Sequence, residues 1–144
     1  MKLVDLNVLI YATDETAAHH AIARGWLDRV MSSTETIGIA TAVALGYVRL
    51  TTSPRIMTAP LDVTTSVDVV RGWYRRPNVT SPEPTPRHYE LLAELLGPIG
   101  TAGNLVPDAH LAALSIEHGA ELCSFDHDFT RFSGIRWIEP GPDQ

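Results

Sequence analysis

The sequence predicts an α/β fold in which helices cover both faces of a parallel sheet, in one domain over residues 1–144. Short apolar or β-branched runs alternate along the chain with longer segments whose apolar residues recur at helical spacing. This alternation is typical of parallel sheets, because two parallel strands need a crossover between them. A chain of 144 residues with 44% hydrophobic and 19% charged residues is also long and apolar enough to bury one core.

The elements of the first half follow from local patterns. An apolar run predicts a buried strand, apolar residues at helical spacing predict a helix, and a β-branched run predicts a second strand. In order, we predict a strand at 2–5, a first helical turn at 6–12, a helix at 16–31, a strand at 36–40 and a helix at 42–51. Pro54 limits the last helix, since the residue before a proline avoids the helical conformation.

The second half continues the alternation. The strongest helical pattern has a proline in its first turn and Gly119 directly after its end. In order, we predict a helix at 65–76, a short strand at 79–81, a helix at 86–96, a glycine-rich connection at 97–103, a helix at 107–118, a strand at 121–125, a short turn or helix at 128–132 and a strand at 135–138.

Four aspartates lie where strands end or a helix opens: Asp5, Asp108, Asp126 and Asp128. The carboxyl ends of parallel strands share one edge of a sheet, so acids distant in sequence are expected to meet there. Carboxylate oxygens are the ligands that hard divalent cations prefer. The pattern therefore indicates a metal-dependent enzyme that acts on phosphate.

Each aspartate also has a structural interpretation. Asp5 is a candidate helix N-cap, Asp108 complements a helix dipole, and Asp126 and Asp128 are ordinary loop acids in that interpretation. Two nearby amides, Asn7 and Asn104, are candidates to orient a carboxylate or a metal-bound water. The joint placement of the four acids favours the functional interpretation.

The other polar motifs are less specific. The six histidines do not have the spacing of a zinc site, and the chain lacks a glycine-rich phosphate loop. His110 and His127 lie close in sequence to the acids, either to touch substrate or to pack. The segment 71–76 (RGWYRR) is suited either to stacking bases or to packing its aromatic residues in an amphipathic helix, and we favour packing.

Composition indicates which partners and which cellular compartment suit the protein. The formal net charge is −6, which is unusual for a simple nucleic-acid binder but compatible with an acidic site that cations neutralise. Cys123 is the only cysteine, so no internal disulfide forms, and we expect it to be buried. No apolar stretch approaches the roughly 20 residues that cross a membrane. We therefore expect a cytoplasmic protein without a membrane partner.

The chain resembles the PIN-domain family, and within it the VapC-type toxins of bacterial toxin–antitoxin pairs. The resemblance extends over nearly the whole length, and its last three blocks are specific in order and spacing. The blocks are VDLNVLIYA (4–12), LGYVRLTTSPR (45–55), GNLVPDAHLAALS with EHGAE (103–115 and 117–121), FDHDF (125–129) and FSGIRW (132–137).

The resemblance implies a five-stranded parallel sheet sandwiched between helices, and a ribonuclease that uses Mg²⁺ or Mn²⁺. By position, Asp5 and Asp108 look like the principal metal ligands, Asp126 completes the cluster, and Asp128 belongs to the closing Asp-Phe element. The expected partners are an RNA substrate, a cognate VapB-type antitoxin and a second copy of the chain.

One position departs from the family pattern. Many relatives carry a glutamate in the second helix, two residues before a Gly-aromatic pair, and Ala44 stands there in this chain. This departure leaves a second metal ion in doubt. It also keeps open a different class of function, a catalytically impaired PIN domain that acts as an antitoxin-binding module.

Overall fold

A five-stranded parallel sheet forms the centre of the computed structural model, which describes residues 1–142. Its strand order is β3-β2-β1-β4-β5, so the first strand of the chain lies in the middle. The strands are β1 (Lys2–Val4), β2 (Ile37–Gly38), β3 (Val79–Thr80), β4 (Glu121–Cys123) and β5 (Arg136–Ile138). All four neighbouring pairs are parallel, which confirms the predicted sheet.

Six α-helices and three 3₁₀ turns connect the strands within residues 1–142. The α-helices are α1 (Leu6–Thr13), α2 (His20–Met31), α3 (Thr41–Thr51), α4 (Val63–Tyr74), α5 (His88–Leu96) and α6 (Val106–Glu117). The 3₁₀ turns are Gly97–Ile99, Gly103–Leu105 and His127–Arg131. The two turns at 97–105 occupy most of the predicted glycine-rich connection.

Several helix starts differ from the sequence prediction by one to four residues, and at two of them an aspartate explains the difference. α2 begins at His20 rather than at 16, since Asp14 accepts hydrogen bonds from the backbone N and hydroxyl of Thr16 and holds a turn there. α4 begins at Val63 rather than at 65, because Asp62 accepts a hydrogen bond from Thr65 N and caps the helix. The strands are also shorter than predicted, β2 and β3 having two residues each.

The core lies on both sides of the central strand. Val4, Val8 and Leu9 are completely buried, and Trp26 of α2 is buried with them. Cys123 is buried as predicted, and burial raises the pKa of its thiol to about 12, so it does not act as a thiolate. Within the described residues, no helix is long and apolar enough to cross a membrane.

The aromatic residues of segment 71–76 pack against the protein. The Trp73 ring meets the Tyr47 ring edge-on at 4.7 Å between centroids, and the Tyr74 hydroxyl donates to Ile39 O at 2.7 Å. These contacts agree with the packing interpretation of the segment. They also attach α4 to α3 and to the end of β2.

Candidate functional site

The carboxyl ends of β1 and β4 bring Asp5 next to the start of the segment that carries Asp126 and Asp128. Val4 is in register with Cys123, and Asp5 N donates to Cys123 O at 3.0 Å. The residues that follow each strand, Asp5 and Ser124, therefore lie side by side. This is the meeting of strand ends that the sequence predicts.

Asp5 is a buried carboxylate, with 8% of the residue exposed. Its Oδ1 accepts from Leu6 N at 2.6 Å, and its Oδ2 accepts from Ser124 Oγ at 2.7 Å. Burial raises the pKa of Asp5, and the nearby charge of Asp126 raises it further, against the effect of the two hydrogen bonds. Asp5 therefore caps α1, and the ionised form of its carboxyl is disfavoured by burial and by the charge of Asp126.

Ser124 connects Asp5 with Asp126 by hydrogen bonds, and the sequence analysis did not identify it. Its completely buried hydroxyl donates to Asp5 and accepts from Asn7 Nδ2 and from Asp126 N, both at 2.9 Å. Asn7 Oδ1 in turn accepts from Phe125 N at 3.2 Å. Asn7 thus acts on Asp5 through Ser124. A serine after a strand carries no sequence signal for this role.

Asp108 lies in the first turn of α6 and lines the same cavity of about 140 Å³ as Asp5. Burial raises the pKa of Asp108 to about 6, with further contributions from the charges of Asp5, Asp126 and Asp128. The four predicted aspartates therefore share one electrostatic environment. Repulsion of this kind is what a bound cation would relieve.

Asp126 and Asp128 lie at the outer side of the site. Asp126 Oδ1 accepts from Asp128 N at 2.8 Å and caps the 3₁₀ turn that follows. The exposed Asp128 carboxylate makes an ion pair with Arg131 at 3.4 Å. The capping role and the proposed ligand role of Asp126 are compatible, because its Oδ2 accepts no hydrogen bond from the described residues.

The donor chemistry of these side chains suits a hard divalent cation, since all four offer carboxylate oxygens. Over residues 1–142, however, no three His, Cys, Asp or Glu side chains are arranged to hold a metal ion. A complete set of protein ligands is therefore not preformed. The assignment of Asp5, Asp108 and Asp126 as ligands stays a prediction.

The remaining positions that the sequence analysis singled out place no carboxylate in the acidic cavity. Asn104 is exposed in a 3₁₀ turn and makes no side-chain hydrogen bond with the described residues, so its predicted role also stays a prediction. Ala44 is buried in the core, and α3 lines the cavity with Ala42 and Val43, which supply no acid. His127 lies on the surface, paired with Glu139.

A second feature that sequence reasoning missed is a pair of histidines beside the cavity. His110 lines the cavity with Asp5 and Asp108, and its Nδ1 lies 2.9 Å from His88 Nε2. Burial lowers the pKa of His110, and His88 lowers it further. His88 contacts Glu117 on its other side. Only His110 had a sequence signal, its proximity to Asp108.

A larger cavity of about 610 Å³ lies between α1, α2, α3 and α4 and contains none of the four aspartates. Its walls include Arg24, Tyr47 and Trp73. The acidic cavity is the better candidate for catalysis, because it combines the carboxylates of Asp5 and Asp108 with a raised carboxyl pKa.

Comparison with known proteins gives the family. A profile of the PIN domain matches residues 2–135. Two Mycobacterium tuberculosis proteins, Ribonuclease VapC37 and Ribonuclease VapC33, are 43% and 36% identical over 140 residues. The aligned region is 97% of this chain in both cases, and 97% and 98% of the two relatives.

Solved structures have the same fold at low sequence identity. VapBC2 from Rickettsia felis, bound to a promoter DNA fragment, has a TM-score of 0.67 at 16% identity, covering 96% of this chain and 97% of that one. Mycobacterium tuberculosis VapC20, described as a sarcin-ricin loop cleaving toxin, has a TM-score of 0.64 at 16% identity, with coverages of 94% and 99%. By profile, sequence and fold, the chain belongs to the PIN-domain family, among proteins of the VapC type.

Proposed function

We propose that the protein is a divalent-metal-dependent endoribonuclease, the toxin of a VapB–VapC-type pair. The observation that carries the proposal is the raised pKa of Asp108, about 6, in a cavity it shares with Asp5. Full-length relatives named as VapC ribonucleases support the substrate class. The VapBC2 complex from Rickettsia felis, whose fold this chain shares, supports a VapB-type antitoxin as partner.

In this proposal Asp5, Asp108 and Asp126 would hold Mg²⁺, for which Mn²⁺ would substitute. A cation held there would supply charge neutralisation of the carboxylates, orientation of the scissile phosphate and a lower pKa of a nearby water. Ser124 Oγ keeps Asp5 Oδ2 in place, and Asn7 keeps the serine hydroxyl directed at it. Asp108 accepts no hydrogen bond from the described residues, so both of its oxygens remain available.

Asp128 and Arg131 are exposed, and the charge of Asp128 acts on Asp108, so we propose that RNA approaches the site from this side. Their ion pair leaves an arginine beside the acids, where a guanidinium can bind a phosphate with two hydrogen bonds. The net charge of −6 is consistent with this site, because bound cations compensate the acids at the point of contact. We also propose a homodimer, which light scattering of the purified protein tests.

The assay incubates the purified protein with structured RNA in Mg²⁺ or Mn²⁺, with EDTA as the metal-free arm. Asp5→Asn and Asp108→Asn are expected to lose cleavage, while the matched control Asp68→Asn keeps it. Asp68 is a suitable control because it is an exposed helix aspartate paired only with Arg71. Cleavage that survives both site substitutions, or that persists in EDTA, contradicts the proposal.

The second candidate, a catalytically impaired PIN domain that binds the antitoxin, is favoured by one observation. Ala44 replaces the expected acid, and α3 contributes no carboxylate to the cavity. This candidate predicts no Mn²⁺ binding and no RNA cleavage, together with intact binding to a VapB-type antitoxin. The two functions therefore give opposite results in the same metal-dependent assay.

A further inference from the structure

A row of three polar side chains leads from the far end of α6, through α5, to the acidic cavity. Glu117 Oε2 lies 2.8 Å from His88 Nδ1, and His88 Nε2 lies 2.9 Å from His110 Nδ1. The side chains of His88 and Glu117 are only 3% and 2% exposed. The row ends at His110, whose ring lines the cavity with Asp5 and Asp108.

Thr85 fixes the outer end of this row. Its backbone N and its hydroxyl donate to Glu117 Oε1 at 3.0 and 2.5 Å, while the other carboxylate oxygen faces His88. Burial alone would raise the pKa of Glu117, but the hydrogen bonds from Thr85 and His88 hold it below its ordinary value. The carboxylate is therefore ionised and acts only as an acceptor.

The ionised carboxylate determines where the protons lie. His88 Nδ1 must carry a hydrogen, because Glu117 has none to give. In neutral His88 the other nitrogen, Nε2, then has a lone pair and accepts from His110 Nδ1–H. In neutral His110 the lone pair consequently lies on Nε2.

His110 Nε2 is free to meet a ligand. It has no hydrogen-bond partner among residues 1–142. The only described side-chain nitrogen or oxygen that is both buried and without a partner is Trp26 Nε1, so His110 Nε2 reaches solvent. The cavity that the ring lines is where this solvent contact is expected.

We propose that Glu117 and His88 are positioning residues that hold His110 as the Nδ1–H tautomer, so that His110 Nε2 accepts a hydrogen bond from an O–H group at the scissile phosphate. A lone pair does not bind phosphate oxygens, which have no hydrogen to donate at neutral pH. Two O–H donors exist in RNA hydrolysis: the ribose 2′-hydroxyl next to the cleaved bond and the attacking water. The inference rests on the proposed ribonuclease function.

The first test measures the tautomer directly and needs no activity. In ¹⁵N-labelled protein at pH 8, long-range ¹H–¹⁵N correlation spectra show which imidazole nitrogen carries the hydrogen. We expect Nδ1–H for both His88 and His110, and loss of the Nδ1–H preference of His110 in His88→Ala. A wild-type His110 with its hydrogen on Nε2, or an unchanged tautomer in His88→Ala, overturns the proposal.

The second test compares two replacements of His110 on a hairpin RNA that the wild type cleaves. Asn offers an amide near the Nδ1 position and keeps the contact with His88, whereas Gln extends an amide oxygen toward the Nε2 position. We expect His110→Asn to reduce kcat/KM by about tenfold, the value of one hydrogen bond, and His110→Gln to recover part of it. Wild-type kcat and KM in His110→Asn overturn the proposal.

A hairpin with a 2′-fluoro nucleotide on the 5′ side of the cleaved phosphate identifies the donor. If the donor is the 2′-hydroxyl, the fluoro substitution and His110→Asn remove the same hydrogen bond. The two changes together then lower kcat/KM by less than the product of their separate effects. If the donor is water, His110→Asn lowers kcat equally on both hairpins and leaves KM unchanged. An Asp5→Asn control that still cleaves RNA contradicts the proposed function, whereas an inactive Asp5→Asn beside a fully active His110→Asn contradicts this inference alone.

Discussion

Ser124 is the single residue that connects most of the acidic site. Its one hydroxyl is the donor to Asp5 Oδ2 and the acceptor for both Asn7 Nδ2 and Asp126 N. A carboxylate as buried as Asp5 depends on such a donor, because an unpaired buried charge is costly. The position of Asp5 and the path of the loop to Asp126 therefore have one common support.

We expect Ser124→Ala to weaken both stability and activity. Removal of the hydroxyl takes away the partner of Asp5 Oδ2, Asn7 Nδ2 and Asp126 N, which should lower the free energy of unfolding by about 1–3 kcal/mol. RNA cleavage should fall at least tenfold, because Asp5 then ionises less readily. Urea denaturation and initial cleavage rates measure the two effects.

Ser115→Ala is the matched control for this substitution. Ser115 is also a buried serine, but its hydroxyl donates only to Ala112 O within α6. Its removal should leave cleavage unchanged and cost less stability than the loss of Ser124. A Ser124→Ala variant with wild-type cleavage would show that Asp5 needs no support from this hydroxyl.

Asp108 should behave as a functional residue that costs stability. Its pKa is about 6 in the folded protein, against 3.8 as the ordinary value. A raised carboxyl pKa favours the folded state below pH 3.8, and this contribution is lost as the pH rises through about 6. The corresponding shift is worth at most about 3 kcal/mol, and less after solvent screening.

Asp108→Asn is therefore expected to raise the free energy of unfolding by about 1–2 kcal/mol at pH 7.5 without divalent metal. The gain should shrink toward zero as the pH falls below 4, since the wild-type carboxyl is then protonated as well. Urea denaturation at both pH values measures this, with Asp68→Asn as control. A variant that is less stable than the wild type at pH 7.5 contradicts the destabilisation assigned to the burial of this charge and its repulsion by the other acids.

Among the elements, α3 and α4 are joined by a buried hydroxyl pair. Thr51 Oγ1 donates to Tyr47 O at 2.8 Å and lies 2.8 Å from Ser66 Oγ, and both side chains are completely buried. Because the Thr51 hydrogen goes to Tyr47, Ser66 donates to Thr51. The pair fixes α4 against the helix whose first turn lines the acidic cavity.

Thr51→Val should lower the free energy of unfolding by about 1–3 kcal/mol, because it leaves the Ser66 donor unpaired. Adding Ser66→Ala removes that donor and should restore part of the loss. A double-mutant cycle by chemical denaturation measures the coupling between the two sites. Strictly additive losses would indicate that the hydroxyls do not depend on each other.

At the level of elements, the sequence predicted all five strands at the right places along the chain, but some element boundaries were wrong. Periodicity locates the middle of an element, whereas its ends depend on single capping side chains such as Asp14 and Asp62. The strand order was not predictable from the residues alone, because it depends on where each crossover returns to the sheet.

The candidate site divides in a similar way. The four aspartates were recognisable because all of them lie where a strand ends or a helix opens and because they match the family pattern. Ser124, His88 and Glu117 were not, because their roles arise from contacts across 119, 22 and 29 positions in sequence. A common residue type gives no local signal for a partner so distant.

For the whole molecule, part of the negative net charge comes from the acids of the candidate site. The chain has a net charge of −6, and burial together with the repulsion of Asp5, Asp126 and Asp128 raises the pKa of Asp108. A divalent cation that binds the folded state should relieve this repulsion and stabilise the protein by mass action. The central claim is therefore that Asp5 and Asp108 together hold a cation.

Titration calorimetry with Mn²⁺ at pH 6, in two buffers of different ionisation enthalpy, tests this claim most directly. We expect a binding site in the wild type, with release of protons because Asp108, whose pKa is about 6, is partly protonated before binding. Asp5→Asn and Asp108→Asn should each abolish or strongly weaken binding, whereas Asp68→Asn should not. Mn²⁺ binding that is unchanged in both site variants, or absent from the wild type, would contradict the account.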